Sequence, residues 1–309
     1  MTNSSKLYYS LLMIVGVLLA SLTGTPARAE AVTETFRGLK LNAELKLAPG
    51  KSLSDGVILM IPSPLGHHRM EVIVSVQDVL AENGINSFAP SLSLSHDNRR
   101  WYIDCNKQIR HTAEDIFDEI DYWVAWLRQK GAGHITLLGH SLSANYVTVY
   151  TTRRAPAAVK GLILLAPATL AYGQQGVQRY EKRFKVPLRD VLARADRYIA
   201  DGKGAEPMAE KTDYYFCPAA SVTPNAFLSL YREMMSQDFP TLWGTLPRPS
   251  LLIAGTGDKR SPQIIDEAKR AGESGNIQVV VIENGGHFFR GLYTDDAVES
   301  MVKFISGIK

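Results

Sequence analysis

The sequence predicts an α/β protein with a mostly parallel central sheet flanked by helices and a helical cap insertion. Short apolar runs without polar alternation, typical of strands covered on both faces, alternate with segments that carry apolar residues at helical spacing. The alternation stops at residues 172–247, which are rich in charged and aromatic residues and hold no comparable strand run. We therefore expect a core at residues 30–171 and 248–309, with the insertion lying over one end of the sheet.

The predicted strands are the apolar runs. Residues 33–46 alternate weakly, which suits one or two edge strands. Buried strands are predicted at residues 57–61, 85–90, 135–138, 162–165, 251–254 and 277–282. Because helical segments separate most of these runs, the strands should lie parallel in one sheet.

The predicted helices are marked by apolar stripes and by capping residues. They fall at residues 72–80, 116–127, 140–150 and 298–305 in the core, and around 180–200 and 224–235 in the insertion. Asn83 and Gly84 supply a stop for the first of them. Thr112 and Thr294 stand where an N-cap residue is expected for the helices that follow.

Composition and charge exclude several classes of protein. A chain of 309 residues with 45% hydrophobic and 21% charged residues is typical of a folded globular protein, not a disordered or collagen-like one. The net charge of +3 gives no electrostatic reason to expect a nucleic-acid partner. Two cysteines are too few for a four-cysteine zinc site or an iron–sulfur cluster. No glycine-rich phosphate loop occurs, so nucleotide chemistry is not expected.

Residues 1–29 have the pattern of a secretory signal peptide. Lys6 precedes an apolar run at residues 11–20, which is shorter than the roughly twenty residues that span a membrane. The small-x-small sequence at 27–29 then suits a cleavage site. We predict cleavage after Ala29, export to the periplasm or the medium, and no membrane span in the mature chain. The alternative is an uncleaved membrane anchor.

Export would place Cys105 and Cys217 in an oxidising compartment. Either they pair with each other or both are buried free thiols. Pairing is favoured, because exposed free thiols are a liability outside the cell. Since Cys217 lies in the insertion and Cys105 in the core, the bond would tie the two together and limit opening of the cap.

A nucleophile elbow is predicted at residues 139–143, whose sequence is GHSLS. A buried strand ends there, small residues follow and a helix begins, so Ser141 is expected to project above the sheet edge. Small residues are needed two positions before and after the serine, because the turn brings the strand and helix backbones close together. Ser143 stands where the general pattern has its second glycine.

Two further reactive residues follow buried strands. Asp258 comes just after the strand at 251–254, and His287 comes just after the strand at 277–282. The ends of parallel strands share one edge of an open sheet, and ligands bind there. A serine nucleophile needs a base, and the base needs an orienting acid. We therefore expect Ser141, His287 and Asp258 to meet at this edge.

These motifs make the chain similar to the α/β-hydrolase superfamily, and most similar to its serine esterase and lipase-like members with a cap domain. The resemblance covers essentially the whole mature chain and rests on the sequences GHS at 139–141, GD at 257–258 and GHF at 286–288. It implies that Ser141 is the nucleophile, that His287 is the general base and acid, and that Asp258 orients His287.

The resemblance also implies an oxyanion hole built from two backbone N–H groups. One would come from Leu142 and the other from the loop at residues 61–68, whose sequence is IPSPLGHH. The prolines of this loop have no N–H to donate, so Ser63 is the expected second donor and Leu65 the alternative. Many relatives carry His-Gly where this chain has Ile-Pro. Since losing one donor costs ~10²–10³ in rate, a slow enzyme is expected.

The same loop contains the adjacent histidines His67 and His68, for which no metal is expected. Neighbouring side chains point in different directions, and neither a His-Glu-x-x-His sequence nor a nearby cysteine cluster is present. We expect this loop to line the mouth of the site instead.

The insertion is expected to shape substrate choice. Its aromatic residues form either a wall of the site or a small helical core; they are Tyr172, Tyr180, Phe184, Tyr214, Tyr215, Phe216, Phe227 and Tyr231. Its basic run forms either a solvated helix face or a surface that attracts an acidic substrate; it comprises Arg179, Lys182, Arg183, Lys185 and Arg189.

Together these features predict an exported serine hydrolase of the carboxylesterase or lipase class, with an acyl-Ser141 intermediate and no cofactor. The expected partner is a small-molecule ester or amide. The alternatives are an amide or short-peptide hydrolase with the same triad, and a non-catalytic binding protein with this fold.

Overall fold

The computed structural model describes residues 27–169, 174–237, 241–259, 264–272 and 276–308. Almost all of the predicted signal peptide lies outside these residues. In the described part of the chain, no helix combines the length and the hydropathy needed to span a bilayer.

The centre of the molecule is an eight-stranded sheet. The strands of the chain are β1 (Arg28–Phe36), β2 (Leu39–Leu47), β3 (Val57–Ile61), β4 (Ser87–Ser91), β5 (Ile135–His140), β6 (Val159–Leu165), β7 (Thr212–Tyr214), β8 (Cys217–Ala220), β9 (Ser250–Gly255) and β10 (Ile277–Ile282). The sheet order is β1-β2-β4-β3-β5-β6-β9-β10, and β7 pairs with β8 separately. In the large sheet β2 pairs antiparallel with β1 and with β4, and all the other neighbouring strands pair in parallel. The predicted mostly parallel sheet is confirmed.

Helices cover both faces of this sheet. The described α-helices are α1 (Glu71–Glu82), α2 (Ala113–Gln129), α3 (Ser143–Arg154), α4 (Gln174–Phe184), α5 (Leu188–Ala200), α6 (Pro224–Leu228), α7 (Ile264–Gly272) and α8 (Leu292–Gly307), and α6 continues directly into a π-helix at Ser229–Met234. Apolar residues of α1 and α8 pack on one face, while those of α2, α3 and α7 pack on the other. Along β3, Ile58 and Met60 enter the first of these cores and Leu59 and Ile61 enter the second. A strand buried on both faces explains why its sequence is apolar throughout.

One of the two predicted threonine caps is confirmed. The Thr112 hydroxyl accepts a hydrogen bond from the Asp115 N–H, and the Asp115 carboxylate accepts one from the Thr112 N–H at 2.8 Å. The prediction for Thr294 was wrong, because α8 already begins after Gly291, whose φ of 62° turns the chain into the helix. Thr294 lies inside the first turn, where its hydroxyl donates to the Phe289 carbonyl.

The insertion between β6 and β9 contains helices α4 to α6 and also a β-hairpin made by β7 and β8. No strand was expected here, because strands of three and four residues are too short to produce an apolar run. In each strand the first and last residues are buried, and the residues between them are half-buried in β7 and exposed in β8. The assignment of residues 172–247 to a separate cap domain stays a prediction.

Several contacts join the insertion to the core, and two of them lie close together in the sequence. Cys105 and Cys217 form a disulfide, as expected from the sequence, with their Cα atoms 5.2 Å apart. Close by, the Ile109 N–H donates to the Ser221 carbonyl at 2.7 Å, and the Thr223 N–H donates to the Ile109 carbonyl at 3.0 Å. The start of the hairpin's second strand and the segment after the hairpin are therefore both attached to the loop that precedes α2.

Candidate active site

Three polar residues from distant parts of the sequence meet at one edge of the sheet. Ser141 follows β5, Asp258 follows β9 and His287 follows β10, all at the carboxyl ends of parallel strands. The His287 Nδ1 lies 2.6 Å from the Asp258 Oδ2, and the His287 Nε2 lies 2.9 Å from the Ser141 Oγ. With the imidazole proton on Nδ1, His287 donates to Asp258 and accepts from the Ser141 hydroxyl. Both Ser141 and His287 are buried. These three residues are here called the Ser-His-Asp triad.

The turn that carries Ser141 is tight and strained. Ser141 has a φ of 60°, a left-handed conformation that costs a non-glycine residue on the order of 1 kcal/mol or more. Its N–H donates to the Leu165 carbonyl at 3.0 Å, and its carbonyl accepts from the Ala168 N–H at 3.1 Å. A Cβ at Gly139 would lie 2.4 Å from the Ser143 carbonyl oxygen, so only glycine fits at that position. The close strand–helix approach of a nucleophile elbow is therefore present.

Ser143 has a contact that the sequence did not predict. Its buried hydroxyl donates to the Pro62 carbonyl at 2.5 Å, in the loop that follows β3. Glycine at this position could not make that bond. The serine in place of the second glycine of the elbow pattern indicates that a side-chain hydrogen bond can form here. The sequence alone does not indicate which group accepts it.

The loops that carry Asp258 and His287 interlock through their backbones. A Cβ at Gly255 would lie 1.9 Å from the Gly285 carbonyl oxygen, so the backbones of the two loops are in direct contact with no side chain between them. The Gly257 N–H donates to the same carbonyl at 3.0 Å, and the Asn284 N–H donates to the Thr256 hydroxyl at 2.7 Å. The glycines beside the two reactive residues therefore set the distance between the carboxylate and the imidazole.

His140, the residue before Ser141, also supports the triad. Its ring is fully buried, and its Nε2 lies 3.1 Å from the His287 carbonyl oxygen, where a ring N–H can donate. The ring centroids of His140 and His287 are 5.1 Å apart. The sequence analysis missed this role, because nothing in a GHS motif indicates what the histidine contacts.

The expected oxyanion donors border the triad. Ser63, Leu65 and Ser141 line the same pocket, and Leu142 directly follows Ser141 at the start of α3. Within the described ranges, neither the Leu142 N–H nor the Ser63 N–H donates to another group. The roles of Leu142 and Ser63 as oxyanion donors, and the choice between Ser63 and Leu65, stay predictions.

The two adjacent histidines of the loop after β3 are not part of the pocket wall. His67 and His68 are buried and do not line the pocket, whereas Ser63, Leu65 and Gly66 of the same loop do. The expectation for the loop is confirmed, but it does not extend to the two histidines. His68 Nδ1 lies 2.7 Å from the Ser91 Oγ, and burial lowers the pKa of His68 to about 4. Among the residues that the structure describes, no group of three His, Cys, Asp or Glu side chains could hold a metal.

A cavity of about 850 Å³ opens above the triad, and this is the site pocket. Its volume suits a small-molecule ligand. Part of its wall is aromatic and comes from the insertion, namely Tyr180, Phe184, Tyr215, Phe216 and Tyr231. Tyr214 and Phe227 pack into the hydrophobic core and do not line it, while Tyr172 lies outside the described residues. The two readings of the aromatic residues thus apply to different members of the set.

The basic run divides in a similar way. All five residues are exposed to solvent, but only Arg179 and Arg183 line the site pocket. Lys259, which the sequence analysis did not single out, lines it as well.

Comparisons with known proteins agree on the fold. Residues 58–300 match the family model described as "Alpha/beta hydrolase family". A sequence search of curated proteins finds no match. The solved structure of Est1E from Butyrivibrio proteoclasticus aligns with a TM-score of 0.59 at 18% identity, over 89% of this chain and 99% of that one. DcsB in complex with its substrate analogue aligns with a TM-score of 0.63 at 15% identity, over 91% and 99%. A putative dienelactone hydrolase from Klebsiella pneumoniae aligns with a TM-score of 0.56 at 12% identity, also over 91% and 99%.

Proposed function

Because the chain belongs to the α/β hydrolase family, we propose that it is an exported serine hydrolase that cleaves a carboxylic ester through an acyl-Ser141 intermediate. The observation that carries this proposal is the continuous contact from the Asp258 carboxylate through His287 to the Ser141 hydroxyl, with distances of 2.6 and 2.9 Å. A binding protein has no need for this arrangement at the end of a strained turn.

The proposed reaction has two halves. In the first, His287 Nε2 takes the Ser141 proton as the serine oxygen attacks the ester carbonyl, and the tetrahedral intermediate then expels the alcohol, which receives that proton. In the second, His287 removes a proton from the water that attacks the acyl group, and it returns this proton to the Ser141 oxygen as the acid is released. The Asp258 carboxylate accepts a hydrogen bond from the Nδ1–H of His287 throughout and stabilises the imidazolium ion.

The N–H groups of Leu142 and Ser63 are proposed to bind the oxygen of the tetrahedral intermediate. Each oxyanion donor is worth ~10²–10³ in rate. The bond from Ser143 to Pro62 supports the loop that carries Ser63. Ester cleavage is proposed over amide cleavage because an alcohol leaves more readily than an amine. Est1E, with which the chain shares its fold, has been solved with ferulic acid bound.

The proposal of export rests on two observations. The sequence at residues 1–29 has the order of charge, apolar run and small residues of a signal peptide. The Cys105–Cys217 disulfide suits an oxidising compartment such as the periplasm or the medium.

A fluorophosphonate probe tests the proposal, since only an activated serine reacts rapidly with it. The wild type should label at Ser141 and Ser141→Ala should not, while the exposed Ser236→Ala should label like the wild type. A panel of acyl esters and matching anilides should then show turnover of the esters and little of the anilides. Absent labelling, or labelling that survives in Ser141→Ala, would contradict the proposal.

A further inference from the structure

Helix α4 turns one face to the site pocket, and two arginines lie on it. The pocket-lining residues of this helix are Gly176, Arg179, Tyr180, Arg183 and Phe184. Their spacing of three and four residues places them on one side of a helix. The two arginines are therefore presented to the same cavity as Ser141.

Arg179 is connected to the loop that holds the nucleophile. One of its guanidinium nitrogens donates to the Thr169 carbonyl at 3.4 Å, and the neighbouring Ala168 N–H donates to the Ser141 carbonyl at 3.1 Å. This short series of contacts keeps the Arg179 side chain on the side of the pocket next to the triad. It uses one N–H of the guanidinium, and the group has five.

Arg183 is held by stacking. Its guanidinium carbon lies 5.2 Å from the centroid of the Phe184 ring and 4.9 Å from that of the Phe216 ring. Phe216 belongs to the turn between β7 and β8, so the hairpin and α4 hold the side chain together. Stacking occupies the flat face of a guanidinium and leaves the N–H groups at its edge free to bind an acceptor.

Neither arginine has an acidic partner in the described part of the chain. Other arginines of the insertion do: Arg232 pairs with Asp196 at 2.7 Å, and Arg194 pairs with Glu210. No ion pair within the described ranges involves Arg179 or Arg183. Arg179 and Arg183 therefore face the pocket without an anion among the described residues to neutralise them.

The rest of the pocket adds no negative charge to offset them. Lys259 contributes a third cation, and no Asp or Glu occurs among the described residues that line the cavity. Burial raises the pKa of Tyr180 and of Tyr231, so these tyrosines remain neutral. A ligand in the pocket therefore meets aromatic surface and positive charge.

We infer that the substrate is an ester carrying an anionic group, a carboxylate or a phosphate, which Arg179 and Arg183 bind while Ser141 attacks the ester carbonyl. The inference rests on the proposed esterase function and adds a substrate class to it. Guanidinium groups donate two parallel hydrogen bonds to planar oxyanions, and the aromatic wall can pack against the uncharged part of the same ligand.

The test compares p-nitrophenyl esters of equal acyl length that end in a carboxylate, a phosphate or a neutral methyl ester. For the wild type, kcat/KM should be about tenfold or more higher for one of the anionic esters than for the neutral one, as two partly exposed charge pairs permit. The double variant Arg179→Gln/Arg183→Gln should bring this ratio close to one. Lys182→Gln is the matched control, because it removes a positive charge from α4 outside the pocket, and it should keep the wild-type ratio.

Salt and protection from labelling give independent readouts. Added salt should lower the wild-type preference, because exposed charges are screened. Adipate or inorganic phosphate should slow fluorophosphonate labelling of the wild type but not of the double variant. The anion that is preferred in both assays identifies the group that the pocket binds.

Each outcome separates this inference from the proposed function. Ester hydrolysis without an anionic preference, or a preference that survives in the double variant, would overturn the inference and leave the esterase proposal standing. If the wild type labels at Ser141 but cleaves none of these esters, the protection assay decides. Protection by an anion in the wild type alone would support the inference, and no protection would overturn it. A wild type that neither labels nor cleaves any ester would remove the proposed function itself.

Discussion

The triad edge of the core and the wall contributed by the insertion meet at one pocket, but different contacts hold them. At the triad edge, backbone hydrogen bonds and glycine contacts between strand ends fix the reactive groups, as between Gly255 and Gly285. At the wall, side chains of α4 and of the hairpin are held by stacking, and a disulfide and a short bridge at Ile109 attach the insertion to the core. The triad residues thus sit on the central sheet, and the groups proposed to select the substrate sit on the insertion that is attached to it.

The largest expected effect is at the triad edge. His287→Gln keeps a hydrogen-bonding side chain but cannot accept and return a proton, so kcat for an ester should fall by ~10⁴. Steady-state kinetics on a neutral ester would measure it, with urea unfolding as the control for an intact fold. Turnover within tenfold of the wild type would mean that His287 is not the base.

Removing the disulfide tests how the wall is attached. Cys105→Ala/Cys217→Ala opens a loop with a sequence separation of 112 residues, which in the chain-entropy model lowers the free energy of unfolding by about 5 kcal/mol. Denaturant titration of the oxidised wild type and of the double variant gives this difference.

The reactivity of the same variant distinguishes the two regions. Because the triad is held by the core, the labelling rate of Ser141 should fall by less than tenfold. An equally stable variant would show that the disulfide does not hold the insertion, and loss of labelling would show that the triad depends on it.

The two regions also differ in how much of their structure the sequence predicts. The triad edge could be predicted because apolar runs mark the strands, and the turns are marked by small residues two positions from Ser141 and directly before His287. The bond from Ser143 to Pro62 and the burial of His67 and His68 depend on segments far apart in the chain, so no local pattern indicated them.

The wall was harder to predict. The hairpin strands were too short to recognise, and the basic run gave no sign of which side chains would face the pocket until the position of α4 was known. Helical spacing places Arg179 and Arg183 on the same face of α4 as Tyr180 and places Lys182 on another face. It does not indicate which of these faces lines the pocket, and this needed the structure.

Two glycine substitutions compare the packing of the two regions. Gly255→Ala places a Cβ 1.9 Å from the Gly285 carbonyl oxygen, so the loops must separate and the free energy of unfolding should fall by about 2–3 kcal/mol. Gly244→Ala in the insertion meets no atom within 4 Å and should stay within about 0.5 kcal/mol of the wild type. Urea titration of both variants checks the pair, and equal effects would contradict the contrast between an interlocked edge and a looser insertion.

The smallest effect is expected at Ser143, where the two predicted consequences can be separated. Ser143→Ala removes the hydrogen bond to Pro62, which should lower the free energy of unfolding by about 1 kcal/mol. If this bond positions the loop that carries Ser63, the variant should also lower kcat several-fold with little change in KM, because an oxyanion donor acts mainly in the transition state. Ser143→Thr keeps the hydroxyl and serves as the conservative comparison. A stability loss with unchanged kcat would show that Ser143 contributes to stability alone and does not position the second oxyanion donor.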